Sequence, residues 1–185
     1  MIIKTNADII KDPNPILDKR LNEIELPLTD ELKETLSSMR QYVINSMKEE
    51  YYENFDITPS VGMALNQVGI DGRAFVVYIT DEDGDIICDE IFINPKIVSE
   101  SVQKTYLEGG EGCLSVGNKV DGFVYRSHKI KVEYFNLEEE KITKEFIGYP
   151  AICIQHEYDH LNGMLYYQRI DKVNPFIEKD NSIKI

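Results

Sequence analysis

The segment His156-Glu157-Tyr158-Asp159-His160 constrains this chain more than any other, because it puts two imidazoles and a carboxylate on one turn of an expected helix. Side chains at i and i+4 of a helix point the same way about 6 Å apart, so His156 and His160 can reach one metal ion while Glu157 stands beside them. Local signals support the helix. Pro150 suits a first helical position, Ile152, Cys153, His156, His160 and Leu161 form one stripe, and Asn162-Gly163 is a stop. The stripe is mostly apolar and so faces inward, where an unpartnered His or Glu is costly and a metal is a suitable partner. A metal so held lowers the pKa of its water from about 15.7 to about 7, and Glu157 can accept the proton. That is hydrolase chemistry. The bland alternative is a surface helix whose charges fall in this order by chance.

A chain of 185 residues predicts one domain, 1-185, large enough to bury roughly 70% of its unfolded surface without disulfides. The 20 Lys and Arg against 33 Asp and Glu leave a net charge of -13. That balance argues against broad nucleic-acid binding and against anionic membranes, and it suits a soluble protein. No apolar run approaches the roughly 20 residues of a membrane helix, and Met1-Ile2-Ile3-Lys4 opens no export signal. Three cysteines without a framework of spacings fit a reducing compartment, so a cytoplasmic location is expected.

Thr29 and Asp30 are candidate N-caps for a long amphipathic helix whose stripe is Leu32, Leu36, Met39, Val43 and Met47. An acidic, aromatic connection follows from Lys48 to Pro59. Strands are expected at Ala74 to Ile79, closed by Asp83-Gly84, then at Ile86 to Ile93 and Lys96 to Val98. Lys129 to Tyr134 alternates with period two, and Lys141 to Ile147 is its expected hairpin partner. The polar tail from Arg169 to Ile185 reads as a loosely attached end. Helix, many strands, then helix predicts an α+β fold with antiparallel strands.

A catalytic tetrahedral metal site takes three protein ligands and keeps one position for water, so His156 and His160 need a third. The choices are His128, a carboxylate or a cysteine. Cys113 lies in Glu108-Gly109-Gly110-Glu111-Gly112-Cys113-Leu114-Ser115, where three glycines allow close backbone approach, and that context favours it. Cys88 and Cys153 read as small core residues, and His128 sits in a polar stretch expected to be exposed.

Three ordered segments now carry a resemblance. Gly62-Met63-Ala64-Leu65-Asn66-Gln67, Glu111-Gly112-Cys113-Leu114-Ser115 and Gln155-His156-Glu157-Tyr158-Asp159-His160 resemble the motifs of the peptide deformylases over roughly Ser60 to Tyr166. The resemblance implies antiparallel sheets around the motif helix and a metal held by Cys113, His156 and His160. It implies N-terminal processing in protein biosynthesis: removal of the formyl group from formylmethionine of nascent polypeptides, releasing formate. Glu157 would move the proton, with the Gln67 side-chain amide and the Leu114 backbone N–H as oxyanion donors. Glu111 and Arg126 match a buried ion pair bracing the Cys113 segment. Gly62, Gly110, Tyr149, Ile152 and Cys153 fall where the family lays substrate backbone and a methionine pocket, although core packing explains the last three equally well.

The expected cofactor is one divalent ion, Fe2+ in the cell, with Zn2+, Ni2+ or Co2+ as substitutes, since thiolate and imidazole ligands suit all four. Ser60 and Leu65 depart from the family's usual Gly and Ala, which puts substrate affinity in question. The length between the first helix and Ser60, and the absence of a basic C-terminal helix, match the Gram-positive-type branch. A transient ribosome contact stays open. Two rivals remain: a metallopeptidase using a downstream carboxylate such as Glu178, and a metal-stabilised binding protein without turnover.

Overall fold

A computed structural model describes residues 1–185. A long helix α1, Asp30–Ser46, is followed by a single turn α2, Glu49–Tyr52, and a third helix α3 spans Tyr149–His160. The strands are β1 Gly62–Ala64, β2 Ala74–Thr80, β3 Ile86–Glu100, β4 Lys104–Tyr106, β5 Arg126–Ser127, β6 Lys129–Phe135, β7 Lys141–Ile147 and β8 Ile183–Lys184. β1, β2, β3, β6 and β7 form one antiparallel sheet in that order, and β5, β4 and β8 form a second. This is the expected α+β class.

The large sheet is covered on both faces, and β2 shows why. Its residues alternate, so Ala74 and Val76 join the cluster under α1 while Phe75, Val77 and Ile79 join the cluster under α3. α1 starts where the sequence places it, with the Thr29 side chain accepting from Leu32 N–H at 3.2 Å. Leu36, Met39 and Val43 of its stripe are buried, whereas Met47 at the C-cap is 43% exposed. α3 packs against β1, β2, β3 and β7 of the large sheet and against β5 of the small one, so it sits between the two sheets.

α3 stops as expected. Gly163 takes φ +69°, its N–H donates to His160 O at 3.2 Å, and Met164 N–H donates to Asp159 O at 3.0 Å. A side chain there is excluded twice over, because a β-carbon would lie 2.4 Å from Asp18 O.

Four expectations are corrected. The connection after α1 contains the helical turn α2. Ile86 to Ile93 and Lys96 to Val98 are one strand, β3, with irregularities in its pairing to β6 between Ile93 and Lys96 and between Ile97 and Ser99. The tail is docked: β8 pairs in parallel with β4, Ile185 N–H donates to Tyr106 O at 3.0 Å, and Phe123 N–H donates to Pro175 O at 2.8 Å. Most of its side chains are exposed, Val173 at 94%, with Ile170 an exception at 7%, so backbone pairing left no periodic trace in the sequence. His128 is half-buried in the turn between β5 and β6, with Gly148 N–H donating to its carbonyl at 2.8 Å.

Candidate metal centre and cleft

α3 brings His156 and His160 to one side, as their spacing requires, and the Gly-rich segment brings Cys113 to meet them. Cys113 Sγ lies 3.3 Å from His160 Nε2, and ligand atoms of Cys113, His156 and His160 fall within 4.8 Å of one another. His156 Nδ1 lies 2.8 Å from Glu111 Oε2, which turns its Nε2 toward Cys113. Burial opposes ionisation of Cys113, but the His160 and His156 imidazoles outweigh it and hold the thiol well below its ordinary pKa. A thiolate and two imidazole nitrogens converging on one point fit a divalent ion. Glu178 is no member of this group.

Glu157 is 5% exposed, and its Oε2 has no hydrogen-bond partner in the protein. Burial pushes its carboxyl up to about 7, where it can both take and give a proton. The wall beside it is β1: a β-carbon on Gly62 would stand 2.6 Å from Glu157 Oε1. Gln67 lies in the 3-10 turn Leu65–Val68. Its Oε1 accepts from Ala64 N–H at 2.9 Å, which aims Nε2 at Ser115 Oγ, 3.2 Å away, and at Cys113 Sγ, 3.6 Å away. Leu114 N–H donates to no protein group.

Glu111 and Arg126 do form a buried pair, at 2.5 Å and 2.8 Å. Two residues that the sequence did not reveal extend it. Arg126 Nη1 donates to Asp159 Oδ2 at 2.9 Å, and Arg169 closes on Asp159 at 2.5 Å. The available signal was Asp159 itself, an acidic residue on a helix expected to face inward, which requires a cation. Burial opposes the Glu111 charge, yet Arg126 more than compensates and holds its carboxyl down to about 2.

The centre opens into a cleft of about 520 Å³. Gly62, Tyr149, Ile152 and Cys153 line it, while Gly110 does not, lying one residue before the lining residue Glu111. Met47, read in the sequence as part of the α1 stripe, also lines it, as do Val61, Leu107, Val116 and Tyr166, which were not singled out in the sequence. Ser60 takes no positive φ, and its hydroxyl donates to Gly62 O at 2.7 Å, so a side chain in place of the family's usual glycine strains no backbone here. Leu65 is fully buried in the cluster under α1, where its extra volume is absorbed.

Such a donor set, with a buried carboxylate and an apolar cleft, defines a metal-dependent hydrolase. Comparison with known proteins narrows the class. The chain belongs to the polypeptide deformylase family, whose family model matches residues 6–176. It is 44% identical over 181 residues to peptide deformylase 2 of Bacillus subtilis, covering 98% of each chain. It is 42% identical over 178 residues to peptide deformylase 2 of Bacillus cereus, covering 96% of each. Among solved structures, the Met-Ala-Ser-bound class I type b peptide deformylase of Acinetobacter baumannii superposes with a TM-score of 0.74 at 28% identity, covering 92% of this chain and 100% of that one. Similar proteins from Bacillus, Lactobacillus and Staphylococcus agree with the Gram-positive-type branch. The chain is thus an enzyme of a metal-dependent family that removes N-formyl groups from nascent peptides. No helix is long and apolar enough to cross a membrane.

Proposed function

We propose that Cys113, His156 and His160 hold the catalytic ion and that Glu157 carries the proton of deformylation. A single observation supports this most: three ligand atoms converge within 4.8 Å in the same cleft as a buried carboxylate whose Oε2 has no protein partner. When bound, a divalent ion supplies Lewis acidity at the formyl oxygen and acidifies water. Fe2+ is the ion proposed in the cell; Zn2+ and Ni2+ bind such ligands more tightly than Fe2+, and Co2+ is a further substitute.

Glu157 takes a proton from the attacking water and passes it to the departing amine nitrogen. The formyl carbon gains the water oxygen, the C–N bond breaks, and the products are formate and a free amino terminus. The Gln67 amide and the Leu114 N–H meet the oxygen on which negative charge develops. Gly62 flanks the substrate backbone, with Gly110 one residue outside the cleft lining, while Tyr149, Ile152 and Cys153 receive the methionine side chain. The peptide bound to the Acinetobacter relative supports a methionine-headed chain in this cleft. Residues 1-185 act as one catalytic domain in the cytoplasm, meeting nascent chains through transient ribosome contact; absence of co-sedimentation with translating ribosomes would remove that last element.

The test is formate release from formyl-Met-Ala-Ser, compared with cleavage of unformylated Met-Ala-Ser, on protein of measured metal content. We expect formate from the first and no cleavage of the second; peptide-bond cleavage without formate would overturn the reading. For Gln67→Ala, kcat should fall about a hundredfold with the metal retained, and a change under about threefold would end its oxyanion role.

A further inference from the structure

The two oxyanion donors sit on separate pieces of backbone, a 3-10 turn and a loop, and one short stretch from near the start of the chain is bonded to both. Ile10 N–H donates to Gln67 O at 2.7 Å, and Asp12 N–H donates to Ser115 O at 2.8 Å. Between them Lys11 Nζ donates to Leu114 O at 2.7 Å. Tyr167 Oη fixes the end of the stretch by donating to Asp12 Oδ2 at 3.0 Å.

Leu114 lies in no helix or strand, so no ladder sets the plane of its peptide groups. The group bearing its N–H is held through the carbonyl of Cys113, which accepts from Val116 N–H at 3.0 Å. The next group is held by Lys11 through a charge-assisted bond, which is shorter and stronger than a neutral one. Lys11 is otherwise exposed, a setting in which an ammonium ordinarily stays in water. Here it turns inward to a carbonyl one residue from a proposed metal ligand.

We propose that Ile10–Asp12 is a strap that holds the Gln67 and Leu114 donors in register, with Lys11 as the positioning residue for the Leu114 peptide. This rests on the oxyanion reading above. Lys11 touches neither substrate nor ion. It acts by keeping the Leu114 N–H aimed, and small misplacements in such sites have large effects on rate.

The test compares wild type, Lys11→Met, Lys11→Arg and Gln67→Ala at verified full metal occupancy. Met keeps most of the stem and loses the donor; Arg keeps a cationic donor. We expect Lys11→Met to lower kcat roughly tenfold to a hundredfold with KM little changed, and Lys11→Arg to recover most of the loss. Amide hydrogen exchange should quicken across residues 113–116 in Lys11→Met and not in Lys11→Arg. Unchanged exchange or unchanged kcat in Lys11→Met overturns the strap, as does failure of both variants to differ from each other. Gln67→Ala separates the two ideas. If it is impaired and Lys11→Met is not, the strap alone falls; if Gln67→Ala keeps full rate, the oxyanion reading falls and takes the strap with it.

Discussion

Glu157→Gln is expected to lower kcat for deformylation by about 10³- to 10⁴-fold while the metal stays bound. Gln is the sharper substitution because Glu157 fits against Gly62, where even a β-carbon would lie 2.6 Å from Oε1. An amide of the same shape keeps that fit but can neither accept the proton of water nor deliver one to the amine. Glu157→Ala should lose as much or more, having also opened space that water can fill. Metal analysis and formate release on the same samples decide the matter. A variant that keeps its metal and more than a tenth of its rate would show that the carboxylate is not the proton carrier, whereas loss of both would place Glu157 in metal retention.

Arg126→Ala is expected to destabilise the protein by about 3–5 kcal/mol, to be read by urea unfolding. Arg126 is 3% exposed between two carboxylates, Glu111 and Asp159, each 4% exposed. Deleting it removes the cation that these two buried carboxylates share. Arg169 can still neutralise Asp159, being bonded to it at 2.5 Å, but Glu111 is left only with His156. Metal affinity should therefore fall as well, by about 10- to 100-fold, since Glu111 orients the His156 ring. A loss under about 1 kcal/mol would place the pair with ordinary surface bridges and remove its bracing role.

Much of the site was legible because its chemistry is local or carried by rare residue types. Two of three histidines at i and i+4 define a helix face without any tertiary information. The β6–β7 hairpin was legible for a similar reason: its alternation and its turn are contained in one short segment. Cys113 was favoured by its glycine neighbours and supported by resemblance. Its meeting with His160, 47 residues away, is a long-range contact that no local pattern encodes.

Patterns of apolar residues report where side chains are buried, and segments held by their backbones escape them. β8 is such a segment, with both residues exposed and its bonds made by N–H and C=O groups that every sequence possesses. The strap at Ile10–Asp12 is another, bonded through the N–H groups of Ile10 and Asp12. Asp159 differs, because its charge was visible while the two arginines that neutralise it come from β5 and from beyond α3. By itself, then, the sequence determined the motif helix, the two imidazoles proposed as ligands and the carboxylate beside them, since spacing on one helix turn is set by backbone geometry. Only the tertiary structure decided which cations neutralise the buried charges, how Gln67 and Leu114 are held, and that the tail is docked, since each depends on distances closed between remote parts of the chain.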